Sequence, residues 1–220
     1  MNFPDFVEEY NGIWLLKNDQ SISTMVKKHG KLAYDTDLID LPELNAMAEG
    51  SLVIDVGAFI GDTARIFLDK GFKVIAVEPQ KDAFHCLLYN CKEAVNLNIA
   101  LGDGRKVNLH PAEGGNMGGR PVIDGGDTET WHLDDIVDPD ATSIFLKLDA
   151  EGFEPAILAG CPKLLADPAL KHIAIEFNPN ALAIFGFTCD DILKYLPEWD
   201  YREIFRYYDQ NWDVVFTRKK

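Results

Sequence analysis

The chain has 220 residues and a mass of 24.6 kDa, enough for one domain with or without an extension. Hydrophobic residues make up 47% and charged residues 26%, ordinary values for a globular fold. Twenty-one basic residues against 36 acidic ones leave a net charge of −15 and a pI near 4.6. This argues against nucleic acid or a membrane surface as partner, since both need clustered Lys and Arg.

In chain order, residues 1–50 show no single period. A strand or short helix is expected near Gly12–Lys17, then a helix or loop to Glu49, together an N-terminal extension that packs on the main domain. From Ser51 the pattern sharpens. Ser51–Val56 is an apolar run that suits a buried strand. Asp62–Lys70 has helical spacing and is closed by Gly71. Phe72–Val77 reads as a second strand, Gln80–Cys91 as a helix and Val95–Leu101 as a third strand. Such alternation predicts parallel βαβ units. Lys106–His110 reads as a strand and Trp131–Val137 as a short strand or turn. Between them lies a loop, residues 113–127, that holds Gly114, Gly115, Gly118, Gly119, Gly125 and Gly126. A loop this rich in glycine is usually functional or disordered. Ser143–Leu148 is expected as a strand, Phe153–Ala166 as one helix, His172–Phe177 as a strand and Thr188–Leu196 as a helix. Tyr201–Arg206 and Trp212–Arg218 suit a final antiparallel pair around Asp209–Asn211.

Cys86, Cys91, Cys161 and Cys189 form no Cys-x-x-Cys pair and have no His at zinc spacing, so buried reduced thiols are expected. The N-terminus lacks the basic start and apolar core of a signal peptide, and no apolar run reaches the length of a membrane span. The expectation is a cytoplasmic protein. Oligomeric state is not legible.

Two features in the 51–220 domain carry chemistry. Asp55-Val56-Gly57-Ala58-Phe59-Ile60-Gly61-Asp62 takes a strand through a glycine turn into a helix. Its helix N-terminus offers free N–H groups to an anion. Twenty-one residues beyond Gly57, Glu78 ends the second strand, where an acid can hold ribose hydroxyls. Together they predict a site for an adenosine-containing ligand. The two glycines fit the dinucleotide Gly-x-Gly-x-x-Gly pattern poorly. Asp55 would repel a pyrophosphate but can face an ammonium group. Those charges match S-adenosylmethionine better than NAD.

The sequence resembles the FkbM family of S-adenosylmethionine-dependent methyltransferases. The first motif at Asp55–Thr63, Glu78-Pro79, Asn98–Asp103, Leu133-Asp134-Asp135-Ile136 and His172–Glu176 are similar to that family's pattern. Leu146-Lys147-Leu148-Asp149-Ala150-Glu151-Gly152-Phe153-Glu154 is the most specific likeness. His132 stands where the family usually has Thr, and the glycine-rich loop matches no family pattern. The resemblance implies an α/β, Rossmann-like class I methyltransferase fold. Its sheet has seven mostly parallel strands, helices on both faces and an antiparallel final strand pair. It also implies an enzyme that methylates a hydroxyl of a sugar, glycan or small metabolite.

The expected cofactor-binding residues are Asp55, Gly57, Ala58, Phe59, Gly61, Asp62, Glu78, Pro79, Asn98, Leu101, Gly102, Asp103 and Asp149. The candidates for base or acceptor positioning are Asp149, Glu151 and His132, with His110 on the other side of the glycine-rich loop. No metal is expected; if Mg²⁺ took part, Asp149 and Glu176 would offer the oxygen ligands. Glu151 also suits a purely local role, capping the helix that follows. Two other readings stay open. One is a non-catalytic S-adenosylmethionine-binding protein; the other is an NAD-dependent oxidoreductase.

Overall fold

The computed structural model describes residues 4–33, 40–109, 117, 122–137, 140–207 and 211–219. Near the N-terminus, β1 (Val7–Tyr10) and β2 (Ile13–Leu16) form an antiparallel hairpin. Its turn is Asn11-Gly12, both with positive φ (52° and 82°), the residue pair that type I′ hairpin turns require. Then follow α1 (Ile22–His29), closed by Gly30 in the left-handed conformation, and a single turn, α2 (Pro42–Asn45).

The main sheet begins with β3 (Leu52–Val56), α3 (Asp62–Asp69), β4 (Lys73–Val77), α4 (Lys81–Asn90) and β5 (Val95–Leu97). A small antiparallel sheet interrupts it, built from β6 (Lys106–Leu109), β7 (Val122–Asp124) and β8 (Thr128–Glu129) in the order β7-β6-β8. The chain returns with β9 (Ile144–Leu148), α5 (Glu154–Ala159), α6 (Pro162–Ala166) and β10 (Leu170–Phe177). It closes with α7 (Pro179–Ile184), α8 (Cys189–Leu193), β11 (Trp199–Tyr207) and β12 (Asn211–Arg218).

The seven-stranded order is β11-β12-β10-β9-β3-β4-β5. Strands β5, β4, β3, β9 and β10 are parallel, while β12 pairs antiparallel with both β10 and β11. The expected α/β architecture, with its antiparallel final pair, is therefore present; of that pair only β12 runs against the sheet. Alternate residues of the central strands point to opposite faces. Val53, Val74, Ala76, Phe145, Ala174 and Val215 join one core with Phe67 of α3 and Leu87 of α4. Ile54, Leu146, Ile173, Ile175 and Val214 join the other with α5, α6 and α8. Helices thus cover both faces, as buried parallel strands require.

Several local expectations change. The helix expected over Phe153–Ala166 is two helices, α5 and α6, because Pro162 cannot continue an N–H ladder and starts a new helix instead. The third strand stops at Leu97; beyond it only Leu101 makes an isolated parallel bridge, to Trp131. Trp131–Val137 is that bridge followed by a 3₁₀ turn at Leu133–Asp135. Strand β1 and helix α7 were not anticipated. His110, the first four glycines of the glycine-rich loop, and Asp209 and Gln210 of the Asp209–Asn211 turn lie outside the described residues. All four cysteines are free thiols, with Cys86, Cys91 and Cys161 buried. No helix among the described residues is long and apolar enough to cross a membrane.

The chain leaves β3 outward to β4 and β5, then returns to place β9 on the other side of β3. The crevice at that reversal, beyond the carboxyl ends of the strands, is where open α/β sheets bind ligands. Gly57 has φ +80° there, and a Cβ on it would lie 1.7 Å from the Asp149 carbonyl oxygen. Gly57→Ala is therefore expected to destabilise the protein by at least about 3 kcal/mol, by strain and by forcing β3 and β9 apart. Urea unfolding of the two proteins measures this.

Candidate active site

The first side of the crevice is the turn after β3. The carboxylate of Glu78, at the end of β4, accepts the Phe59 N–H at 2.9 Å and the Gln80 N–H at 2.8 Å. Glu78 is 4% exposed, and Phe59 holds the uncommon φ of +47°. The Ala58 N–H donates to the Val77 carbonyl, so the turn is bonded to β4 from both ends. Asn98 donates from Nδ2 to the carbonyls of Glu78 and Pro79. Beside them opens a cavity of about 340 Å³, whose walls include Pro79, Gln80, Asn98, Ile99 and Ala100. Gln80 Oε1, buried at its edge, has no hydrogen-bond partner in the chain.

The sequence-predicted residues divide here. Gly57, Ala58, Phe59, Gly61, Glu78, Pro79 and Asn98 gather around the turn and the cavity. Leu101 is buried in the core next to Phe153 and Leu133, and Gly102 packs against Phe153 and Thr130. Asp103 is bound by the Arg105 guanidinium at 2.7 Å, which holds its carboxyl below the usual range against the opposing effect of burial. His132 is exposed, with Nε2 facing the space that Gly104 leaves open, and no contact joins it to Asp149 or Glu151 among the described residues.

Beneath the turn lies a charge cluster. Asp55 and Lys147 are in register on β3 and β9 and share a face of the sheet. Asp55 is fully buried; its Oδ2 accepts the Thr63 hydroxyl at 2.7 Å and its Oδ1 lies 3.3 Å from Lys147 Nζ. The same ammonium lies 3.3 Å from Asp149 Oδ2. Burial alone would lower the Lys147 pKa, but Asp55, Asp149 and Asp62 together hold it above the ordinary lysine value. Asp62, at the start of α3, is pushed up to about 7 by burial and by Asp55, against the pull of Lys147. Asp55, expected to face a ligand ammonium, has Lys147 and Thr63 as its partners instead.

The second side is the turn after β9. Glu151 has φ +52° and Gly152 φ +95°. Glu154, 1% exposed, accepts the Ala150 and Gly152 N–H groups on Oε1 and so fixes this turn. Burial, then the charges of Asp149 and Glu154, push Glu151 up to about 8, opposed by Lys147. Glu154 is raised to about 7, chiefly by burial. Glu176, at the end of β10, accepts the Asn211 side-chain N–H at 2.6 Å on Oε1, while Oε2 is buried without a partner. Burial, Asp149 and Glu151 raise it to about 9. Asp149 is the open member, its side chain 41% exposed against 0% for Asp55. No group of three or more His, Cys, Asp or Glu among the described residues is arranged to hold a metal ion.

Sequence reasoning missed the parts played by Lys147, Glu154 and Thr63. The available signal was a lysine inside an otherwise apolar buried strand, level with an aspartate in the neighbouring one.

Residues 127–203 match the family model described as the methyltransferase FkbM domain. No curated protein matches the chain. Among solved structures, a TehB-like SAM-dependent methyltransferase from Corynebacterium glutamicum ATCC 13032 Kitasato is 16% identical, covering 89% of this chain and 94% of that one, with a TM-score of 0.51. A protein in the NADB-Rossmann superfamily from Streptococcus agalactiae is 15% identical, covering 84% of this chain and 69% of that one, with a TM-score of 0.50. At such identities the likeness concerns the fold alone. Residues 127–203 are thus similar to the methyltransferase FkbM domain, and they sit within a Rossmann-like fold of the kind seen in those solved structures.

Proposed function

We propose that the protein binds S-adenosylmethionine in this crevice and methylates a hydroxyl of a sugar, glycan or small metabolite. The observation that carries the reading is the carboxylate of Glu78. Two backbone N–H groups fix it directly before Pro79 and Gln80, which line the cavity, at the strand-end position where an acid binds the paired hydroxyls of a ribose. The apolar stretch Pro79, Ile99 and Ala100 suits an adenine ring, and the partnerless Gln80 Oε1 leaves hydrogen-bonding capacity that the chain does not use itself. When bound, the cofactor supplies a methyl group made electrophilic by its sulfonium.

The chain's own residues then have three tasks. The Gly57–Gly61 turn and Glu78 orient one reactant. Asp149, open to solvent and bonded to Lys147, positions the acceptor hydroxyl. Glu151 takes the proton that the hydroxyl loses, a role suited to a carboxyl whose pKa burial has brought near neutrality. Asp55 supports the site through Lys147 and Thr63, not through the ligand. Acidic groups along the crevice disfavour phosphorylated acceptors and nucleic acid.

Calorimetric titration with S-adenosylhomocysteine, S-adenosylmethionine and NAD tests the cofactor. Binding of the first two is expected, weakened about 10- to 100-fold in Glu78→Gln, the worth of one or two charged hydrogen bonds. Binding of NAD alone would sink the reading. Glu78 is a cleaner position for this test than Asp55, whose removal would strand the Lys147 cation.

The base is tested with a labelled methyl donor against a panel of hydroxylated metabolites. Glu151→Gln is expected to lower kcat about 10²-fold or more with S-adenosylhomocysteine affinity kept. Wild-type turnover is expected to rise with pH and level off above about 8. Stability runs the other way. Glu151, Glu154 and Glu176 keep protons in the folded state at pH values where the unfolded chain has lost them. The folded state is therefore favoured below the ordinary carboxyl range and loses that advantage as pH rises toward 7 to 9. Thermal melts are expected to show the midpoint falling from pH 5 to 9, by at most about 1.4 kcal/mol per pH unit for each group. A flat profile would remove the case for buried protons at the site.

A further inference from the structure

Residues 4–33 have no part in the proposed chemistry, yet they are built onto the cofactor turn. Val7, Leu15, Leu16, Val26 and Leu32 form one apolar cluster with Phe59 and Ile60 of that turn and with Ala83 and Cys86 of α4. At the end of α4 a single amide joins the two parts. Asn90 Oδ1 accepts the Trp14 N–H at 2.8 Å, and Asn90 Nδ2 donates to the carbonyls of Trp14 and Ile60, each at 2.8 Å. The next residue, Cys91, donates its thiol hydrogen to the Gly61 carbonyl at 3.3 Å. Asn90, the last residue of α4, and Cys91, which follows it, thus hold two consecutive carbonyls of the turn.

That turn needs holding. Phe59 is a bulky residue at φ +47°, a conformation that costs free energy and persists only where its surroundings impose it. Its N–H must point at Glu78 Oε2, and the same turn starts α3 at Gly61. On one side Glu78 fixes the backbone. On the other, the Phe59 and Ile60 side chains are 7% and 0% exposed in the cluster that β1, β2 and α1 complete.

We propose that the N-terminal hairpin and helix act as a clamp on the cofactor-binding turn, and that Asn90 is the positioning residue that transmits their hold to Ile60. Cofactor affinity then depends on a segment that contributes no group to the ligand. The affinity part of this inference rests on the cofactor reading above; the hold on the turn does not.

The test uses the full chain and the variant Asn90→Ala. Amide hydrogen exchange without ligand is expected to speed up about tenfold or more at Phe59 and Gly61, and to stay unchanged at Ile54 and Leu146 in the sheet. S-adenosylhomocysteine is expected to bind about tenfold or more weakly. Unchanged exchange at the turn would overturn the clamp, as would faster exchange with wild-type affinity. Faster exchange in a protein whose wild type binds no S-adenosylhomocysteine would uphold the mechanical hold and refute the cofactor reading instead. If Asn90→Ala does not fold, Val26→Ala thins the same apolar cluster without touching the amide. It is expected to loosen the same two amides, and unchanged exchange there would likewise overturn the clamp.

Discussion

The ammonium of Lys147 lies inside the carboxyl end of the sheet, between a fully buried carboxylate and one that reaches solvent. Neither Asp55 nor Lys147 could stay there alone, since an unpaired buried charge costs about 3–5 kcal/mol. Their pairing fixes the register of β3 against β9, because a shift by one residue would put the two side chains on opposite faces of the sheet and leave each charge buried without its partner. Everything on the rim follows from that register. It brings Gly57 against the Asp149 carbonyl and sets the turn after β3 next to the turn after β9.

Those two turns are solved by the same device. Each contains a non-glycine residue in the left-handed region, Phe59 in one and Glu151 in the other. Each is fixed by a buried glutamate that accepts two backbone N–H groups: Glu78 takes those of Phe59 and Gln80, Glu154 those of Ala150 and Gly152. Strain of this kind needs a surrounding structure that leaves no alternative, and a buried carboxyl that accepts two backbone N–H groups supplies it. The acids differ in their surroundings. Glu78 directly precedes two residues that line the cavity, whereas Glu154 is shut away and raised in pKa by burial.

Much of this arrangement was legible in the sequence, and the reasons are particular. Strands β3, β4, β9 and β10 announce themselves as short apolar runs because both their faces are buried. The acids at their ends stand out against that background, which is why Glu78 and the Asp149–Glu151 turn could be picked by position. The break between α5 and α6 was visible in Pro162 but was outweighed by the helical spacing around it. Strand β1 was hidden because only Val7 of its four residues is buried and two of the others are glutamates, although Asn11-Gly12 is a hairpin signal. Asp55 was assigned to a ligand because a strand read alone shows a charge and not its partner. Lys147 lies 92 positions further along and meets Asp55 only through the crossover.

The site's acidity also bears on what it would accept. Four carboxyls meet at the ends of β9 and β10, and one ammonium faces them, so a fully ionised cluster would repel most anions. With Glu151 raised to about 8 and Glu176 to about 9, part of the cluster holds protons at neutral pH. A protonated carboxyl donates a hydrogen bond while Asp149 accepts one. On the proposed reading, a hydroxyl-bearing acceptor is the chemistry that can use both at once, because each hydroxyl is itself donor and acceptor. A phosphate would find acceptors where it needs donors. On the same reading, the burial that raises these pKa values does more than tune a base: it sets which surfaces of an acceptor the crevice can face.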